Sequence, residues 1–129
     1  MRLLLDTHAF LWWVFADARL SRRARSAIAD DERNEVLVSA ATAWEITTKF
    51  RIGKLNDAAI VARDVAATVV AEGFDQLPIS VQHAQRAGDL DGQHRDPFDR
   101  MLMAQAMIEN LALVSNEKVF DAYGVKRLW

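Results

Sequence analysis

This chain of 129 residues encodes an α/β sandwich around a mostly parallel sheet. Short apolar runs of strand length alternate with segments of helical spacing, the pattern of successive βαβ units. The runs are wholly apolar rather than alternating, which suits strands covered on both faces. A content of 51% hydrophobic and 26% charged residues is enough for one core, so residues 1–129 read as a single domain.

Leu3-Leu4-Leu5 is a buried strand that stops at Asp6. Asp6 or Thr7 can cap a helix reaching about Phe15, and Ser21 a second one reaching about Asp31. Val36-Leu37-Val38 is the next strand, ending at Ser39, and a helix over Ala41–Phe50 follows, stopped by Gly53. Ile60, Val61, Val65 and Val69 give Asp57–Glu72 the spacing of one helix that ends at Gly73. A third strand lies within Phe74–Ile79, and Ser80 can cap a helix over Val81–Ala87. The most polar stretch, Asp89 to Asp96, is closed by Pro97 and leads into a helix over Phe98–Glu109. Leu111–Val114 forms the fourth strand, and a short helix and a last strand, Val125–Leu128, complete the chain.

Composition removes several function classes. Without Cys there is neither a disulfide framework nor a thiolate metal site, so a reducing, cytoplasmic setting is expected. Asp6 and His8 interrupt the amino-terminal apolar stretch, which is too short for a membrane span and a poor signal peptide. No membrane association is expected. The formal charge of −2 gives no global basic footprint, so any nucleic-acid contact must be a local patch. G-x-S-x-G, Walker A, G-x-G-x-x-G and H-E-x-x-H are all missing, which removes the central motifs of serine hydrolases, nucleotide loops and zincins.

What remains is a set of acids at strand ends. The first strand runs into Asp6, the second into Ser39 with Glu45 following on the next helix, and the fourth into Glu117. Asp99 lies in the first turn of the helix after Pro97. Ligands of open α/β sheets bind outside the carboxyl ends of the strands, so the four acids can meet at one rim. Clustered carboxylates need a cation or a proton to offset their repulsion. Oxygen-only donors favour a hard ion, Mg²⁺ or Mn²⁺. Each acid has a structural reading beside this one. Asp6 can be an N-cap, Thr42-Ala43-Trp44-Glu45 matches a capping box, and Glu117 suits a helix start. Asp96-Pro97-Phe98-Asp99 makes a good helix start needing no metal, and Asp96 is assigned to that cap.

The motifs carry a resemblance. Leu3-Leu4-Leu5-Asp6-Thr7-His8-Ala9 with Leu11-Trp12, Ser39-Ala40-Ala41-Thr42-Ala43-Trp44-Glu45-Ile46, Arg95-Asp96-Pro97-Phe98-Asp99-Arg100 with Ala104-Gln105-Ala106, and Leu113-Val114-Ser115-Asn116-Glu117 with Tyr123-Gly124-Val125 occur in this order over nearly the whole chain. Together they resemble the PIN-domain family, and within it the VapC-type toxins of bacterial toxin–antitoxin pairs. The resemblance implies a three-layer PIN-like sandwich with four to five strands and a Mg²⁺-dependent endoribonuclease. It also implies an RNA substrate, a cognate antitoxin partner and a homodimer. The family's acidic positions fall on Asp6, Glu45 and Asp99, with Glu117 where a fourth Asp is usual. Asp6 and Asp99 are expected to hold the metal directly. Glu45 and Glu117 would act through water or hold a second ion, Glu117 being one methylene longer than the usual Asp.

Several other residues attract a chemical reading. His8, His83 and His94 share no metal-like spacing. His8 reads as packing, whereas His94 and Arg95 either touch RNA phosphates or belong to a solvated loop. Arg100 either steadies a phosphate or pairs with a carboxylate. Phe10 to Phe15 is apolar all round a helix, so the helix is either fully buried or uses its other side for a partner, the partner surface being the favoured expectation. The alternative to a nuclease is a non-catalytic α/β metal-binding or protein-interaction module, such as a receiver-like Mg²⁺ domain. A receiver needs an acidic pair after its first strand and a Lys after its last core strand, and Leu5-Asp6 and Ser115-Asn116-Glu117 supply neither.

Overall fold

A computed structural model describes residues Met1–Trp129. Five strands, β1 (Arg2–Leu5), β2 (Glu35–Ser39), β3 (Asp75–Leu77), β4 (Ala112–Val114) and β5 (Arg127–Leu128), form one sheet in the order β3-β2-β1-β4-β5. Every pairing is parallel, so the expected mostly parallel sheet is wholly so. Leu3 aligns with Val36 and Ala112, and Leu5 with Val38 and Val114, which puts the apolar runs in register. Alternation of side chains across the sheet then divides the core in two. Leu3, Leu5, Val36, Val38 and Val114 pack beneath α1 (Thr7–Val14), α2 (Arg22–Ala29), α4 (Ala59–Arg63) and α5 (Val65–Ala71). Leu4, Leu37 and Leu113 pack on the other face against Leu102, Met103 and Ala106 of α7 (Pro97–Glu109). Leu3, Leu4 and Leu5 are completely buried, each worth about 1.5–3 kcal/mol of hydrophobic stabilisation.

Helix starts follow local side-chain chemistry. Asp6, Ser21, Asp64, Ser80 and Asp96 each accept a hydrogen bond from a backbone N–H in the first turn of the helix they precede. Asp64 accounts for a departure from the sequence-based expectation. The single helix expected over Asp57–Glu72 is a 3₁₀ turn at Asn56–Ala58 followed by α4 and α5. Asp64 leaves helical geometry (φ −158°) and caps α5 through Ala67 N at 3.0 Å. Continuous apolar spacing does not register a cap that restarts the helix.

The Thr42–Glu45 capping box does not form. The N-cap of α3 (Ala40–Arg51) is Ser39, and the Thr42 hydroxyl is buried without a hydrogen-bond partner. A capping box does form at α6 (Val81–Asp89), where Ser80 and His83 exchange bonds. His83 is thereby a structural residue, its Nε2 lying 2.8 Å from Glu109.

The outer side of α1 is largely covered by the chain itself. Trp12 stacks on His8 (5.3 Å) and meets the Trp129 ring edge-on (5.9 Å), with the Arg19 guanidinium 5.1 Å away. Trp13 packs on Phe74 and donates from its indole N–H to Glu72. Phe15 is the large apolar residue this segment leaves exposed, so the partner surface expected of the helix narrows to that end.

Candidate active site

The strand order reverses at β1, because the chain first builds outward through β2 and β3 and then returns to β1's other edge with β4. Such a switch point opens a crevice at the carboxyl ends of the two strands. Asp6 stands there, directly after β1, with its N–H donating to Val114 O across the seam at 3.1 Å. Its carboxylate is 5% exposed and accepts from Ala9 N at 2.8 Å. The capping reading therefore holds, and it uses one oxygen. Burial pushes the Asp6 carboxyl up to about 6, partly offset by the Ser115 hydroxyl and the Ala9 N–H and raised further by the Asp99 charge.

Asp99 reaches the same crevice from the first turn of α7. Burial raises its pKa above the ordinary value, the Asp96 and Glu45 charges add to this, and His94 works against it. His94 Nε2 is 2.7 Å from Asp99 Oδ2. Glu45, buried on α3, accepts from the Thr7 hydroxyl and the Lys49 ammonium. Lys49 is held protonated: burial opposes its charge, but the hydrogen bond to Glu45 and the charges of Glu45, Asp96 and Asp99 outweigh it. Asp6, Asp99 and Glu45 thus share one electrostatic environment; two residues after Ser115, the hydroxyl partner of Asp6, comes Glu117. Its carboxylate is exposed and makes no hydrogen bond or ion pair, and only its amide is tied, to Ser115 Oγ at 3.0 Å.

Two residues acquire roles that sequence reading did not give them. Lys49 passed unnoticed, although Glu45-x-x-x-Lys49 is the i,i+4 spacing that brings side chains together on a helix. His94, read as a phosphate contact or part of a solvated loop, holds Asp99. Its loop is pinned by tertiary contacts. His94 N donates to the Tyr123 hydroxyl at 3.1 Å, and that hydroxyl stands too close to Gly92 (φ +99°) for a Cβ to fit there. Arg100 pairs with no carboxylate. It donates to the carbonyls of Ala87, Gly88, Leu90 and His94 and so staples the loop to the end of α6.

The donor set is chemically suited to a hard cation. Asp6 and Asp99 are carboxylates whose charge is disfavoured by burial and by each other, which a divalent ion would relieve. No three ionisable side chains stand ready to enclose an ion together. Two carboxylates with retained water are nevertheless an ordinary Mg²⁺ environment. A separate hollow of about 620 Å³ opens near the starts of β2 and β3, lined by Glu35, Val36 and Asp75, at the opposite end of the strands from these acids.

The PIN domain family model matches residues 3–126. The chain belongs to the PIN domain family. A stretch of 61 residues is 43% identical to Ribonuclease VapC16 of Mycobacterium tuberculosis, covering 47% of this chain and 42% of that relative. This PIN chain therefore spans less than half the length of the curated relative it matches. Its fold is similar to that of a chain in the crystal structure of VapBC2 from Rickettsia felis bound to a DNA fragment from their promoter (TM-score 0.72, 15% identity, 99% of this chain and 98% of that one). It is also similar to a chain of a toxin–antitoxin complex from Klebsiella pneumoniae (TM-score 0.67, 17% identity, 98% and 96%). The five-stranded parallel sheet with helices on both faces is the PIN-like sandwich that the motifs implied.

Proposed function

We propose that this PIN protein is a divalent-metal-dependent endoribonuclease, the toxin of a toxin–antitoxin pair, held in check by a cognate antitoxin. The carrying observation is the meeting of Asp6 and Asp99, from opposite ends of the sequence, at the switch point of the sheet, with Glu45 in the same field. The name of the M. tuberculosis relative supports the ribonuclease reading, and the Klebsiella complex supports the antitoxin partner. The protein is assigned to the cytoplasm and to a homodimer on the family resemblance. No helix is long and apolar enough to cross a membrane.

Asp6 and Asp99 would hold Mg²⁺, with Mn²⁺ able to replace it. When bound, the cation supplies a lowered pKa for the attacking water and compensation of charge on the phosphate. Glu45 orients that water, and Thr7 and Lys49 hold the Glu45 carboxylate in one direction. His94 does the same for Asp99. No side chain serves as nucleophile, and the RNA 2′-hydroxyl takes no part, so the products carry 5′-phosphate and 3′-hydroxyl ends. Purified protein is expected to cleave single-stranded RNA with Mg²⁺ and to stop on addition of EDTA. Equal cleavage with and without the chelator would remove the metal-dependent reading.

Glu117 is assigned a supporting role, consistent with its exposure and with the absence of any bond holding its carboxylate. Mg²⁺ demands ligands at about 2.0–2.1 Å in near-octahedral geometry but tolerates water between itself and a carboxylate. Glu117→Ala is therefore expected to lower kcat/KM by about 10-fold or less, and Glu117→Asp to retain most activity. A Glu117→Ala protein as inactive as Asp6→Asn would make Glu117 essential.

A further inference from the structure

Trp44 is out of keeping with the other tryptophans. Trp12, Trp13 and Trp129 pack against the core, whereas Trp44 is 58% exposed although its neighbour Glu45 is buried. A single exposed apolar residue would need no explanation, but Trp44 is joined to a second aromatic and forms a patch. It is not loose, because the Phe98 ring meets it in a T-shaped contact at 4.8 Å. Phe98 in turn lies 6.0 Å from the Lys49 ammonium, which bonds Glu45. Trp44, Phe98, Lys49 and Glu45 form one continuous path from an exposed aromatic surface into the acidic crevice. Two residues of this path directly precede the acids they flank, Trp44 before Glu45 and Phe98 before Asp99.

We propose that Trp44, backed by Phe98, is the stacking platform for an unpaired base of the RNA beside the scissile phosphodiester. The inference rests on the nuclease reading above and deepens it by specifying what the substrate must present. Sequence-tolerant recognition of single strands combines aromatic faces with cations that follow the backbone. Both are here: Lys49 beside the Phe98 ring, and in the loop just before Asp96 an exposed Arg95 with no ion-pair partner. Arg95 lines an open polar depression with His94 and Arg100, a path for phosphates that avoids the carboxylates. Because Phe98 fixes the orientation of the indole, little freedom is lost when a base settles on it. A paired base cannot reach a side chain in this way, so the platform selects loops, bulges or ends. A second copy of the chain is the competing occupant, but an apolar protein contact would not call for Lys49 and Arg95 around the aromatic pair.

The test compares wild type, Trp44→Ala, Trp44→Leu and Trp44→Phe on one single-stranded RNA and on versions carrying an abasic residue at each position flanking the cleaved bond. Melting and sedimentation controls accompany each variant. Trp44→Ala and Trp44→Leu are expected to lose about 5- to 100-fold in kcat/KM, the worth of one base–aromatic stack, and Trp44→Phe to keep most activity. One abasic position should cost wild type a similar factor and cost Trp44→Ala almost nothing more. Undiminished cleavage by Trp44→Ala, or full sensitivity of that variant to every abasic position, would overturn the proposal. Loss of activity only together with conversion of a dimer to monomers would also overturn it, and would assign the surface to a second copy. Failure of the nuclease reading would look different, because wild type itself would not cleave, or Asp6→Asn would cleave equally well.

Discussion

Asp6→Asn is expected to abolish metal-dependent RNA cleavage and to leave a protein that folds at least as well as wild type. The substitution removes a charged oxygen donor from the crevice, and a hard cation discriminates strongly between a carboxylate and an amide. A fall in kcat/KM of at least about 10²-fold follows, the scale on which removal of one electrostatic element acts. The fold should not suffer, for two reasons. Asn is as good an N-cap as Asp, so the bond from Ala9 N survives. The amide also carries no charge to be desolvated at a position only 5% exposed. Wild type should gain thermal stability from millimolar Mg²⁺, because the ion binds the folded state, and Asp6→Asn should gain far less. Retained cleavage, or an unfolded Asp6→Asn protein, would contradict this account of Asp6. Asp99→Asn should show the same loss of activity, with Asn still able to accept from His94 in the appropriate tautomer.

Without metal, the protein is expected to lose stability as pH rises from about 4 to about 6.5. The folded Asp6 carboxyl has a pKa of about 6, against an ordinary value of 3.8. Between these values the folded chain binds more protons than the unfolded chain, so stability falls with increasing pH. The contribution is fully present below the ordinary value and lost as pH rises through about 6. A shift of this size corresponds to about 3 kcal/mol as an order of magnitude. Asp99, raised chiefly by burial, acts in the same direction. Asp17 and Asp121 are lowered by their arginine partners and work the other way, but only at acidities where those carboxylates take up protons. Melting temperature measured in EDTA over this range should therefore decline, Asp6→Asn should flatten much of the decline, and Mg²⁺ should reverse it near neutrality. A wild-type curve that rises steadily through the range, or an Asp6→Asn curve that falls as steeply, would disprove the assignment.

Which parts of this molecule could be read from the chain depends on the range of the interaction involved. Leu3-Leu4-Leu5, Val36-Leu37-Val38 and Leu111–Val114 declared themselves as strands because complete burial on both faces requires an unbroken apolar run. The caps at Ser21, Ser80 and Asp96 were equally legible, since each satisfies N–H groups within three residues. Local patterns also misled where more than one local solution existed. Apolar spacing over Asp57–Glu72 concealed the break at Asp64, and Thr42-Ala43-Trp44-Glu45 matched a capping box that Ser39 supplants.

The amino-acid sequence by itself determined a parallel α/β sandwich, its helix starts, and a set of acids at strand ends that an oxygen-seeking ion would suit. Only the tertiary structure decided which of those acids share a field. Asp99 acts on Asp6, and Glu45 on Asp99, across 93 and 54 residues of chain because β1 lies at the centre of the sheet with β2 and β4 on either side. Glu117 follows β4 yet is exposed, with only its amide tied, to Ser115 Oγ, ahead of the 3₁₀ segment that begins at Lys118. The choice of partners was also tertiary. Lys49 for Glu45, His94 for Asp99 and backbone carbonyls for Arg100 were settled by which groups burial brought within hydrogen-bonding reach, and the free energy of a charge depends on that reach and on lost water rather than on sequence neighbours.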